Sequence, residues 1–170
     1  VFPLASSNYV AKYDSGLGYT KRENNSEKLY EVPAQKWADI TDKSGNFGVS
    51  ILTDCKHGWD KPNDNTLRLT CIHTPVGAFT KETRQDLQDL GRNCFSFGIF
   101  GHEGDIENGT NRESMVFTRK LITCEVKKQS EKGEFSQVAS LLKLSHDNIV
   151  IRAVKISEYD KDALIVRLNN

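Results

Sequence analysis

The chain has 170 residues, with 23 basic and 23 acidic side chains and therefore zero formal net charge. A chain of this length is expected to form one domain, residues 1–170, burying roughly 70 % of its unfolded surface without a metal or disulfide staple. Charge balance speaks against the basic excess of a nucleic-acid binder, and no apolar run approaches the roughly 20 residues that cross a bilayer. Neither nucleic acid nor membrane is expected as a partner.

At the start, Val1-Phe2-Pro3-Leu4-Ala5 has no basic region and no long apolar core, so it does not read as a signal peptide. Met115 is the sole methionine, and the chain is expected to begin inside a longer coding sequence.

Short strands separated by polar turns dominate the pattern. Ala11–Tyr13 and Leu17–Lys21 are extended segments around Asp14-Ser15-Gly16. Gly48–Thr53 is a clearer strand. Thr66–His73 alternates, with Leu67, Leu69 and Cys71 on one face and Thr66, Arg68 and Thr70 on the other. Between them Asp60–Asn65 is rich in turn formers, so the two strands are expected to form a hairpin. That hairpin would place Val49 opposite Cys71 and make Cys55 and Cys71 poor disulfide partners.

Thr80–Leu90 contains good helix formers and a Gly91 stop, and an irregular loop fits it equally well. Cys94–Phe100 is a strand that places Phe95, Phe97 and Ile99 on one face. Met115–Val126 is ambiguous; its Val, Phe, Thr and Ile residues favour an extended reading. Ser140–Ser145, Asn148–Ile156 and Ala163–Leu168 are further strands, the last two joined by a turn over Ser157–Asp162. The fold class is all-β, an antiparallel β-sandwich that covers many half-apolar strands with two packed sheets.

Cysteines at 55, 71, 94 and 124 show no C-x-x-C and are expected to be free, mostly buried thiols. Gly16-x-Gly18 and Gly98-x-x-Gly101-x-x-Gly104 lead into no helix and read as turns rather than phosphate loops. His102-Glu103-Gly104-Asp105 gathers three ligand types but has no second cluster at metal spacing, so no metal site is expected. Asn24-Asn25-Ser26 and Asn108-Gly109-Thr110 match the N-glycosylation pattern. The stretch richest in chemistry is Asp54-Cys55-Lys56-His57-Gly58-Trp59-Asp60, directly after a strand. Loops held by a rigid sheet commonly carry sites. His57 and Trp59 could stack on sugar rings, while Asp54 and Lys56 could bond hydroxyls. A Cys55–His57 nucleophile pair lacks a third orienting group.

Several of these segments resemble a known family when taken in order. Tyr30-Glu31-Val32-Pro33-Ala34-Gln35-Lys36-Trp37-Ala38-Asp39 precedes Phe47-Gly48-Val49-Ser50-Ile51-Leu52-Thr53-Asp54-Cys55-Lys56-His57-Gly58. Leu67-Arg68-Leu69 with Thr74-Pro75, Asn93–Phe100, Ala153-Val154-Lys155 and Leu164–Leu168 follow. This order and spacing resembles the C-terminal region of α-mannosidases of glycoside hydrolase family 38, over roughly residues 9–168. Thr53 and His57 stand where that family usually has Asn and Tyr.

The resemblance implies a sandwich related to the galactose mutarotase-like supersandwich. It also implies a partner, an N-terminal α/β catalytic domain of the same polypeptide that carries zinc, an Asp nucleophile and an acid/base carboxylate. This chain has no H-x-D pair and no matching nucleophile segment, so no catalytic residue and no cofactor are expected in it. Its implied role is to scaffold that domain and shape the rim of the cleft for a mannose-containing oligosaccharide. Asp54, Lys56, His57 and Trp59 are the expected substrate-facing residues. A carbohydrate-binding module with its own affinity and a structural or oligomerisation domain, with the parent a homo-oligomer, are the alternatives. Glycan processing favours an extracytoplasmic or lysosomal-type setting over the cytoplasm.

Overall fold

Side chains alternate between two faces along Trp37–Thr41 and Phe47–Thr53, and both faces are covered. The computed structural model describes residues 1–73, 88, 90–126, 138–146 and 149–170. They fall into two compact units, Val1–Ile122 and Thr123–Asn170.

The first unit holds β1 (Phe2–Pro3), β2 (Ala11–Asp14), β3 (Tyr19–Arg22), β4 (Val32–Pro33), β5 (Trp37–Thr41), β6 (Phe47–Thr53), β7 (Gly58–Asn63), β8 (Thr66–Thr70) and β9 (Phe97–Glu103). A 3-10 turn, Ile106–Asn108, then leads into helix α1 (Thr110–Thr118). The strands build a five-stranded sheet, β3-β2-β5-β6-β9, and a four-stranded sheet, β1-β8-β7-β4. Every pairing is antiparallel. Ala11, Tyr13, Ala38, Ile40 and Ile51 of the first sheet pack in one cluster with Val32, Trp59, Leu67 and Leu69 of the second. This is the expected antiparallel sandwich, with its core between two sheets.

The opposite face of the five-stranded sheet is covered by α1. Trp37, Leu52 and Ile106 are buried there, with Phe100 and Phe117 packed against them. The Trp37 indole Nε1 donates to Asn111 Oδ1 at 3.0 Å, which ties the helix to the sheet.

Four expectations are corrected. Gly48–Thr53 and Thr66–His73 do not form a hairpin, because β6 and β8 belong to different sheets. The strand that pairs with β8 is β7, which includes residues read as a turn. Pro62 is accommodated where the β7–β8 register shifts between Asp60 and Asn63, a break that needs no ladder donor. Met115–Thr118 is helical rather than extended: Thr110, Ser114 and Phe117, spaced four and three apart, meet the sheet, and this packing overrides β-propensity. The thiols are free as expected but not mostly buried, since Cys55, Cys94 and Cys124 are exposed.

In β9, Phe97 and Ile99 are 50 % and 63 % exposed. They pair with Thr53 and Ile51 on the edge strand, where the facing sheet offers only the two-residue β1. Phe2 meets Phe97 edge-on at 5.1 Å there.

The second unit contains β10 (Val150–Ile156) and β11 (Leu164–Asn169), paired antiparallel. The Ser157 hydroxyl accepts from the Tyr159 and Asp160 amides at 3.3 and 3.2 Å and closes the expected turn. Ser140–Ser145 forms no strand, a further correction; its residues are almost all exposed and find no partner strand among the described residues. Thr80–Leu90, which reads equally well as a helix or an irregular loop, lies, except for Gln88 and Leu90, outside the described residues.

Candidate functional site

The connection from β6 to β7 is held at both ends by hydrogen bonds. At its start Thr53 is fully buried, and its Oγ1 accepts the Lys56 amide at 3.1 Å. Asp54 faces solvent, yet both of its carboxylate oxygens accept the Ser96 amide at 3.0 Å. The Asp54 amide returns a bond to the Ser96 carbonyl at 3.3 Å. A hydrogen bond from the Cys55 thiol, and then the Ser96 amide, hold the Asp54 carboxyl below its ordinary pKa. The same contact with Asp54 pushes the Cys55 thiol up, away from the thiolate a nucleophile needs.

Lys56 places its ammonium 5.3 Å from the centre of the Phe95 ring. It lines a hollow of about 340 Å³ with Glu31, Thr70, Cys71, His73 and Asn93. The His57 ring lies in a second hollow of about 260 Å³. Its Nδ1 is 2.9 Å from the Gln35 carbonyl. A carbonyl only accepts, so Nδ1 carries a hydrogen, and in the neutral tautomer that this fixes Nε2 is the acceptor. The His57 carbonyl in turn accepts the Ala34 amide at 3.0 Å.

The four sequence-derived residues are therefore not one cluster. Asp54 latches the loop, and Lys56 and His57 face two different hollows. Trp59 is wholly buried among the core residues, so its ring offers no face to a ligand. Strand alternation from Gly58 onward points Trp59 and Lys61 into the sandwich.

The His102–Asp105 stretch is a structural lock, and sequence reasoning missed its centre, Asp39. Asp39 is fully buried on the α1 side of the five-stranded sheet. Its carboxylate accepts from Thr41 Oγ1 at 2.7 Å, Ser50 Oγ at 2.8 Å and His102 Nε2 at 2.8 Å. Because the Ser50 hydroxyl spends its hydrogen on Asp39, the Thr110 hydroxyl must be the donor in their 2.8 Å contact. The bond from His102 to Asp39 is the main cause of the raised His102 pKa. Asp105 caps the 3-10 turn through the Ile106 amide at 2.7 Å and is ion-paired to Lys12. Glu103 is exposed, on the opposite strand face from His102. This donor set is already matched internally and does not fit zinc. Among the described residues no group of three or more His, Cys, Asp or Glu side chains converges as a metal site.

An acid between Ala38 and Ile40 in a strand signals a covered polar position. Its partners come from β6, β9 and α1, so the sequence could not name them. Both glycosylation patterns are also structurally engaged. The Asn24 amide donates to Asp64 at 2.9 Å, the Asn108 amide donates to the Glu103 carbonyl at 2.7 Å, and Thr110 is fully buried.

Residues 1–77 match the model of the family described as glycosyl hydrolases family 38 C-terminal domain. Over those residues, somewhat under half of its length, the chain is similar to a family 38 C-terminal region. The matched residues contain β1 to β8, hence the whole four-stranded sheet and all but β9 of the five-stranded one. A curated relative, "Alpha-mannosidase" from Saccharomyces cerevisiae (strain ATCC 204508 / S288c), is 32 % identical over 114 residues. That alignment covers 64 % of this chain and 10 % of the relative, so the chain corresponds to about a tenth of the yeast protein. The family 38 match includes the Asp54–His57 loop and the Asp14–Gly16 turn beside it.

Proposed function

We propose that this chain is a non-catalytic part of a retaining α-mannosidase. In this reading it packs on the catalytic domain and uses the β6–β7 loop to shape the rim of that domain's cleft. The observation that supports it most is how the carboxylates around the loop are used. A retaining glycosidase needs two carboxyl groups about 5 Å apart and open to one sugar. Here Asp54 is held by Ser96, and Asp14 by the Gly16 and Lys36 amides at 2.7 and 3.0 Å. Asp60 is engaged by Arg68 and Asn25. What remains open is the Lys56 ammonium and the His57 Nε2, a donor and an acceptor suited to sugar hydroxyls. Asp54 is then a positioning residue, and Trp59 supports the loop from the core. Zinc and the acid pair belong to the catalytic domain, and the substrate is a mannose-containing oligosaccharide.

The test is kinetic and uses the intact parent enzyme. His57→Ala and Lys56→Ala should each lower kcat/KM for a mannoside about tenfold, the loss of one bond to a charged or oriented partner. Both variants should unfold at the parent's temperature. Unchanged kcat/KM in both would refute the rim role. This chain alone should not hydrolyse an aryl α-mannoside with zinc present, and turnover that survives repurification would refute the non-catalytic reading.

A further inference from the structure

The hollow beside His57 contains a cation, Arg22, that no side chain among the described residues pairs with directly. In the β2–β3 register, Tyr13 lies opposite Thr20 and Ala11 opposite Arg22. Ala11 and Tyr13 are core residues, so Thr20 and Arg22 share the face turned toward the second sheet. β3 is the edge of its sheet and β4 the edge of the other. The hollow of about 260 Å³ lies by these edges, lined by Tyr13, Thr20, Arg22, Pro33, Gln35 and His57.

Arg22 Nε is shielded from solvent and donates to nothing. Among the described residues no hydrogen bond or ion pair reaches the Arg22 guanidinium. Asp14 also lines the hollow, but its two oxygens are bound by the Gly16 and Lys36 amides at 2.7 and 3.0 Å. Asp60 is paired with Arg68 at 2.7 Å. A partly desolvated guanidinium with five donors and no acceptor is costly unless something outside the chain completes it. The group that matches its planar fork is an oxyanion. The cavity has room for an acid of about monosaccharide size, since it approaches the roughly 300 Å³ lower range of ligand pockets.

We propose that this hollow binds a small oxyanion, the carboxylate of an acidic sugar or a phosphate, with Arg22 as its anchor and Thr20 and Gln35 as hydrogen-bonding neighbours. The site shares His57 with the rim loop but does not rest on the mannosidase reading. It needs neither the catalytic domain nor turnover.

Calorimetric titration of the chain with glucuronate, inorganic phosphate and glucose tests it. Glucuronate or phosphate should bind at millimolar concentration, more weakly as salt rises, and glucose should give no heat. Binding of glucuronate without phosphate assigns the site to sugar acids; the reverse assigns it to phosphate. Arg22→Gln should weaken the bound probe roughly ten- to hundred-fold. Arg22→Lys keeps the charge and loses the fork, so it should weaken binding less. Arg112→Gln removes an equal charge from an exposed helix position and should leave binding unchanged. Absence of binding by both anions overturns the proposal. So does binding that survives both Arg22 variants, or that Arg112→Gln weakens as much.

Discussion

Replacing Asp39 with asparagine tests the lock between the five-stranded sheet and helix α1. The wild-type carboxylate accepts three bonds of 2.7 to 2.8 Å, and the Asp39 and His102 side chains are 0 % and 1 % exposed. Removing one partner of a buried charge pair costs about 3–5 kcal/mol. The amide that replaces the carboxylate keeps one acceptor oxygen for Thr41 or Ser50, which places the expected loss at the low end, about 3 kcal/mol near pH 6.

The pH dependence separates this from a simple packing defect. Asp39 raises the His102 pKa above its ordinary 6.5, with Asp105 and the Glu103 carbonyl adding to the effect and burial opposing it. A raised histidine pKa adds stability that is complete below the unfolded pKa and is lost as pH rises through the folded one. The difference between wild type and Asp39→Asn should therefore be largest near pH 6 and shrink toward pH 9. Urea unfolding at several pH values, read from the midpoints at constant m, measures it. A difference of the same size at pH 6 and pH 9 would mean that His102 is neutral in the folded protein and would refute the ion-pair account.

Other perturbations test the rest of the frame. Gly48→Ala would place its Cβ 2.5 Å from the His102 ring and 3.1 Å from the Thr41 backbone, so it should break the same lock, cost about 2–4 kcal/mol and flatten the pH profile of unfolding. Lys61, 1 % exposed, donates to the Asn8, Tyr9 and Asn63 carbonyls at 2.6, 3.3 and 2.9 Å and to the Asn24 side chain. Burial pushes its pKa down to about 8, so stability should climb by about 3 kcal/mol as pH rises from 8 toward 10.5, and Lys61→Met should abolish that climb in urea titrations. Phe117→Ala should cost about 3 kcal/mol and expose the α1 amides to hydrogen exchange before those of β6.

Much of the sandwich was legible because its strands obey local rules. Leu67 and Leu69 alternate with polar residues and are buried as that pattern demands. β7 was hidden because its sequence is that of a turn: Pro62, Asn63 and Asp64 stand in a row. It is a strand because Lys61 can be turned inward, and this requires oxygens from Asn8, Tyr9 and Asn24, residues far away in the chain. Residues 115–118 of α1 were hidden for a related reason. Their β-branched and aromatic residues favour a strand when isolated, and only the surface made by Trp37, Leu52 and Phe100 gives Phe117 a better place on a helix.

The candidate site was legible as chemistry but not as geometry. Asp54, Lys56 and His57 stood out because an acid, a base and an imidazole follow one another after a strand, and their exposure in a connecting loop follows from that position. Their division of labour does not. Asp54 is committed only because the Ser96 amide lies against it, 42 residues away in sequence. Trp59 reads equally well as a sugar platform and as a core residue until the pairing Trp59 with Leu69 is known, and that pairing turns it inward. Arg22 had no signal at all, since an arginine closing a polar strand is ordinary. What makes it distinctive is that, among the described residues, no carboxylate is bonded to it. That can be judged only after Asp14, the one acid in the lining of the hollow, is seen to spend its oxygens on the Gly16 and Lys36 amides.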